Sequence, residues 1–343
     1  VVHQGALGYK NVATKTPMTT DDLFYIQSMT KPIISTAFMM LYEEGYFKLS
    51  DPVSKYLPEF KNFRVIRSVN DGPDAPTDSL KSEITITQLL SHSGGLMHGL
   101  EQNPVQIRFR NGYFKPGIKT IQERVANMTK YPLLAQPGTE WNYSAGPDVL
   151  CVLIEKFSGM SVNDFLKSRL FEPLEMKHTG YNVPKEEQSK IVALHTKGKN
   201  GTISVAANQP PYENVTVWSG VNGLFSTAAD YATFCQMMLA GGTYKGKQYL
   251  SRKTVELMTS NHTGDLFKTP GTEWGLGFAV VTDGPATKTP ASNGLFYWGG
   301  ANNTHFFIDP KEKLIALLMT QESNFTWEYH NSLRQMVYQT LAD

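Results

Sequence analysis

Ser28 and Lys31 stand three residues apart in Ser28-Met29-Thr30-Lys31, at the start of a long apolar run. In a helix that spacing puts both side chains on one face, about 5–6 Å apart. A serine hydroxyl is a weak nucleophile until a base removes its proton, and a lysine serves as that base only when desolvation keeps it neutral. Lys31 is the only charged residue between Asp22 and Glu43, a costly position unless the amine is used. The helix N-terminus also favours an anion forming at Ser28. The bland alternative is an N-cap serine beside a solvated lysine.

A second element is Tyr143-Ser144-Ala145, between Pro137-Gly138-Thr139-Glu140-Trp141-Asn142 and an apolar helical run. A tyrosine on a turn entering a helix can aim its phenol into a cleft. There it would act as base to Ser28 and then as acid to the leaving group, with the charge of Lys31 lowering its proton affinity. A core tyrosine is the alternative. Tyr212-Glu213-Asn214 has the same type of spacing, but Gln209-Pro210-Pro211 marks it as loop.

A third element is Trp298-Gly299-Gly300-Ala301 in a strand-like run. Two small residues let a substrate lie against exposed backbone, and the amides of Ser28 and Ala301 can share an oxyanion hole. His178-Thr179-Gly180 lies in helical surroundings and is set aside. His92 closes a helix, where a hydrogen-bonding histidine is structurally useful, so a structural role is favoured over a triad base.

Positioning these residues requires two kinds of architecture. Residues 32–44 form an apolar helix, with Pro32 in its first turn and Gly45 at its end. Helical pieces follow over 85–91, 118–128, 144–157 and 162–170, with little β-type alternation. After a helix over 225–239 the composition turns β-branched and aromatic, predicting antiparallel strands over 275–282, 295–308 and 314–320. A helix over 327–341 should pack on that sheet, and a strand at residues 1–9 should join it. Residues 1–57 and 211–343 thus form an α/β (α+β) region with an antiparallel sheet flanked by helices. Residues 58–210 form an inserted, mainly helical region, and the site lies at the junction.

Composition removes other classes. Lys+Arg of 32 against Asp+Glu of 31 gives a net charge of +1, without the footprint that nucleic acid or an anionic membrane requires. No uninterrupted apolar stretch reaches membrane-spanning length, so a soluble protein is expected, its compartment (cytoplasmic, periplasmic or secreted) left open. Cys151 and Cys235 read as buried free thiols. No Gly-x-Ser-x-Gly elbow, His-Glu-x-x-His motif or glycine-rich phosphate loop occurs, so neither metal nor cofactor is expected. The expected partner is a small molecule, and the residues do not choose between monomer and homodimer.

In this order and spacing the three elements resemble the serine β-lactamase and penicillin-binding DD-peptidase superfamily, nearest its class-C-like family VIII carboxylesterases. Leu49-Ser50-Asp51-Pro52-Val53, Ile86-Thr87-Gln88-Leu89-Leu90-Ser91-His92-Ser93-Gly94 and Gly223-Leu224-Phe225-Ser226-Thr227 add to the likeness. The resemblance implies a β-lactamase/transpeptidase-like fold, with Ser28 as acylated nucleophile, Lys31 and Tyr143 as its partners, and Trp298-Gly299-Gly300 in place of Lys-Thr-Gly. Two departures bear on substrate. Ala145 stands where β-lactamases carry an asparagine that holds a side-chain amide, and Trp298 replaces a lysine that attracts a carboxylate. Short acyl or aryl esters are therefore expected over β-lactams and D-amino-acid peptides, with acyl transfer and an acylated, non-turning-over sensor as further alternatives. Trp141, Trp218, Phe296 and Tyr297 are offered either as an apolar substrate pocket or as ordinary core.

Overall fold

The structure, a computed structural model, describes residues 1–342. Its centre is the helix Thr30–Glu43, in which every residue from Thr30 to Leu41 is buried. An apolar surface all round leaves a helix no solvent face, so it is enclosed by neighbours on every side. Gly45 follows at φ 81°, the left-handed conformation that ends helices.

Five antiparallel strands form the main sheet in sequential order: Thr272–Trp274, Ala279–Val281, Phe296–Gly300, Thr304–Asp309 and Leu314–Leu318. Alternation explains the layering. In Thr304–Asp309 all six residues are buried, because successive side chains point to opposite faces and both faces are covered. Phe306 meets Tyr231 of the helix Ala228–Leu239 at 5.1 Å between ring centroids. Phe307 stacks on Tyr338 of the helix Glu328–Tyr338 at 5.7 Å.

Three expectations need correction. The opening segment does not join the sheet: Tyr9–Asn11 pairs with Thr16–Pro17 in a separate hairpin. Gly8, at φ 77°, turns the chain there, and Val1, Val2 and Leu7 remain exposed. The run 295–308, expected as one strand, is two, Phe296–Gly300 and Thr304–Asp309, divided by a turn at residues 301–303; the segment 58–210 contains the helices Ile86–Leu90, Pro104–Tyr113, Ile121–Met128, Gly146–Ser158 and Val162–Leu166, with two short hairpins, Arg64–Ile66 with Thr77–Ser79 and His195–Lys197 with Ile203–Val205. The third correction concerns Phe225–Ser226, which is a short strand paired with Phe24–Tyr25. Helix begins only at Ala228, because the extended Thr227 caps it by accepting from the Asp230 N–H at 3.1 Å.

Among the described residues no helix is long and apolar enough to cross a membrane. Both cysteines are free and buried.

Candidate active site

The strand Phe24–Tyr25 delivers the chain to Ser28. The Ile26 N–H bonds the Leu224 carbonyl at 3.0 Å, and Gln27 then turns the backbone through φ 48°, a left-handed conformation uncommon for glutamine. A single 3₁₀ turn, Gln27–Met29, leads into the central helix. Ser28 is thereby half-buried at the helix mouth, while Lys31 in the first turn is 1% exposed.

The Lys31 Nζ donates to Ser28 Oγ at 3.0 Å and to the Val221 carbonyl at 2.9 Å. It also lies 4.5 Å from the centroid of the Tyr143 ring. Burial pushes the amine down from its ordinary 10.5 to about 7, and the charge of Asp148 works in the opposite direction. An amine so placed exchanges its proton near neutrality.

Tyr143 enters from the turn before the helix Gly146–Ser158, and that turn is pinned to residues 92–98. Asn142 N–H bonds the His92 carbonyl at 2.9 Å, and Ala145 N–H bonds the Met97 carbonyl at 2.8 Å. Nδ1 of His92 accepts the Ser144 N–H at 3.2 Å and lies 2.9 Å from Ser144 Oγ. That nitrogen is occupied, and burial holds the ring neutral with its pKa well below the usual value, so His92 is structural. His98 stacks on Tyr143 with centroids 5.1 Å apart.

Burial raises the pKa of the Tyr143 phenol, although hydrogen bonding to Ser28 and to Trp298 opposes the rise. The sequence leaves either Lys31 or Tyr143 as the base to Ser28. Desolvation disfavours phenolate and ammonium alike, leaving a neutral phenol beside a readily neutral amine.

Trp298 completes the group, its indole Nε1–H donating to the Tyr143 hydroxyl at 3.1 Å. Its ring is held edge-on to Trp274 at 4.5 Å, and Trp274 is tied to the Leu90 carbonyl at 3.2 Å. Both glycines that follow are required by close approach. A Cβ on Gly300 would lie 2.4 Å from the Ile26 carbonyl oxygen, and one on Gly299 would lie 2.6 Å from His305 Nδ1. The strand can therefore press against the turn that carries Ser28. Ala301, exposed, is the first residue beyond the strand.

Ser28, Lys31, Tyr143 and Trp298 are thus brought together, with Gly299, Gly300 and Ala301 on the adjoining strand end. Of the four aromatics offered as a pocket, Trp141 alone packs beside this group, 6.0 Å from Tyr143. Phe296 is core against Phe278, Tyr297 stacks on His330 behind the sheet, and Trp218 packs on Tyr181. His178-Thr179 ties to Asp230 instead of lining the site, and Tyr212 packs in a small separate cluster with Leu23 and Val183. Sequence reasoning missed the Val221 carbonyl, His98, Trp274 and Asp148. Only Asp148 had a signal: it is the sole charge in the apolar stretch 146–154. Among the described residues no three His, Cys, Asp or Glu side chains gather as a metal site.

Known proteins place this architecture. The sequence matches the Beta-lactamase family over residues 1–337. An uncharacterized protein of Mycobacterium tuberculosis is 31% identical over 331 residues, spanning 92% of this chain and 81% of its own. Esterase EstB of Burkholderia gladioli is 26% identical over 343 residues, spanning 93% of this chain and 82% of its own. Among solved structures, EstCE1, described as a hydrolase with promiscuous acyltransferase activity, superposes with a TM-score of 0.84 at 25% identity, covering 98% of this chain and 90% of that one. The family match, the shared architecture and the Ser-x-x-Lys pair at the mouth of the central helix lead to one conclusion: this chain belongs to the beta-lactamase family.

Proposed function

We propose that the chain is a serine carboxylesterase that cleaves short acyl or aryl esters through an acyl-enzyme on Ser28. The observation that carries this reading is the 3.0 Å contact between Ser28 Oγ and an amine held near neutral proton affinity. In the reactive state the amine is unprotonated and the hydrogen bond reverses, with Ser28 donating.

Lys31 takes the Ser28 proton as Oγ attacks the ester carbonyl, and the amides of Ser28 and Ala301 hold the resulting oxyanion. When the carbon–oxygen bond to the alcohol breaks, the Tyr143 hydroxyl gives its proton to the departing alkoxide and is reprotonated from Lys31. Water then attacks the acyl group, losing its proton to the same pair. The acid leaves and Ser28 regains its hydrogen.

Ester over β-lactam follows from what surrounds the group. Trp298 stands where a cation would attract a carboxylate, its one neutral N–H is given to Tyr143, and a hydrogen bond to a charged group is worth about 1.5–3 kcal/mol. Ala145 is fully buried and has no side-chain amide to offer. The relatives named as esterases support the same choice. Turnover of p-nitrophenyl butyrate and of a chromogenic cephalosporin by the same preparation tests the substrate class. The ester should have the larger kcat/KM, and faster cephalosporin hydrolysis would reassign the chain to β-lactam chemistry.

A further inference from the structure

Asp148 is fully buried in the first turn of the helix Gly146–Ser158. Its Oδ1 accepts from Ser219 Oγ at 2.8 Å, Gly220 N–H at 2.7 Å and Val221 N–H at 3.0 Å. Its Oδ2 takes the Tyr113 hydroxyl, with Arg124 Nη1 at 3.8 Å. The turn 219–221 also sits directly on this helix, since a Cβ on Gly220 would lie 2.3 Å from the Pro147 carbonyl oxygen and 2.8 Å from Cys151 Sγ. The next carbonyl along that turn, Val221, receives Lys31.

We propose that Asp148 is a positioning residue: it locks the turn 219–221 so that the Val221 carbonyl orients Lys31 toward Ser28, and it sets a buried carboxylate behind the turn that holds the amine. The proposal rests on the reading of Lys31 as base. A neutral amine has two hydrogens and one lone pair, so a fixed acceptor for one N–H directs the lone pair, and a wandering carbonyl does not. The charge acts in the opposite sense to burial, favouring the ammonium. Other groups facing Lys31 are Ser28, Tyr143 and the neutral His92 and His98. Those facing Asp148 are Tyr113, Arg124, whose cation partly offsets its charge, Cys151 on its own helix, and Tyr181, whose hydroxyl donates to the Ser219 carbonyl at 2.8 Å.

The test is a pH titration of the full-length protein carrying ¹³Cε-lysine, read by NMR, beside kcat/KM profiles for p-nitrophenyl butyrate, in the parent, Asp148→Asn and Asp148→Ala. Asparagine keeps the shape and an acceptor oxygen but removes the charge. The lysine resonance that titrates near neutrality should move to lower pH by about half a unit or more, and the acid limb of kcat/KM should move with it. Asp148→Ala, which frees the turn, should lower plateau kcat by about tenfold or more with a smaller effect on KM. An unmoved lysine titration in Asp148→Asn overturns the electrostatic role, and parental kcat in a folded Asp148→Ala overturns the positioning role. A lysine titration that moves while the activity limb stays put upholds the inference about Asp148 and removes Lys31 as the base.

Discussion

Trp298 and Tyr143 are joined by an indole-to-phenol hydrogen bond of 3.1 Å. The indole occupies a lone pair of the phenol oxygen, leaving the phenol's own proton free to face Ser28, whose contact with Tyr143 also bears on the phenol's proton affinity. Trp298→Phe keeps an aromatic ring against Trp274 and removes only the donor. A neutral hydrogen bond is worth about 1 kcal/mol, so kcat for p-nitrophenyl butyrate should fall about fivefold while KM changes by less than about twofold. Steady-state kinetics of the two proteins decide it, and an unchanged kcat would leave the indole no role beyond packing.

The pH profile follows from Lys31. With its proton affinity pushed down to about 7, the amine is charged and unable to accept a proton below that pH, and neutral above it. For a neutral ester, log kcat/KM should rise with unit slope below about pH 7 and level off above it. A profile that is flat from pH 5 to 9 contradicts the assignment of the base.

The same shift predicts a stability trade. The amine binds its proton at about 7 in the folded state against an ordinary 10.5, so between those values the unfolded chain holds the extra proton. Stability is therefore lost as pH falls from about 10.5 to about 7 and does not return below that. Lys31→Met removes this penalty and abolishes activity. Its stability relative to the parent should be greater at pH 6 than at pH 9 by about 2–3 kcal/mol. Loss of the bond to Val221 costs the same at both pH values, so the difference isolates the charge. Urea unfolding of both proteins at the two pH values gives the number, and equal differences would mean that Lys31 is not titrating near neutrality.

On the proposed preference for esters, an asparagine at position 145 should not by itself confer faster β-lactam turnover. Ala145 is fully buried, and its N–H is committed to the Met97 carbonyl at 2.8 Å. Adding an amide there overfills a packed site, which costs about 1–3 kcal/mol. Ala145→Asn should lower the Tm by several degrees and leave cephalosporin turnover no faster than in the parent. A gain in cephalosporin turnover at parental Tm would show that the asparagine reaches the cleft.

The chemistry was legible where burial and charge conflict. Lys31 is a lone cation in an apolar run, and Asp148 carries the same signature in the helix after Tyr143 without a motif to mark it. β-Branched and aromatic runs between turn residues marked the stretches holding Ala279–Val281, Phe296–Gly300, Thr304–Asp309 and Leu314–Leu318, but not the turn at residues 301–303 that divides the expected strand 295–308 in two, nor the short strand Thr272–Trp274. Pairing partners were not readable, because register and edge depend on contacts far apart in sequence: the expected strand at residues 1–9 found a local hairpin instead. The helix Pro104–Tyr113 had a readable start in Asn103-Pro104, whose asparagine accepts from Gln106 N–H at 2.9 Å. The Val221 carbonyl could not be foreseen, since every residue has one and only the fold decides which is aimed at an amine.

The account stands most directly on the identity of the acylated atom. Exposure of the protein to a p-nitrophenyl alkylphosphonate, which traps activated serine nucleophiles, followed by peptide mass spectrometry, reads it. The prediction is one phosphonyl group per chain on the peptide bearing Ser28, release of one equivalent of p-nitrophenol, and neither event in Ser28→Ala. A label on any other residue, or a Ser28→Ala protein that still hydrolyses p-nitrophenyl butyrate at the parent rate, contradicts it.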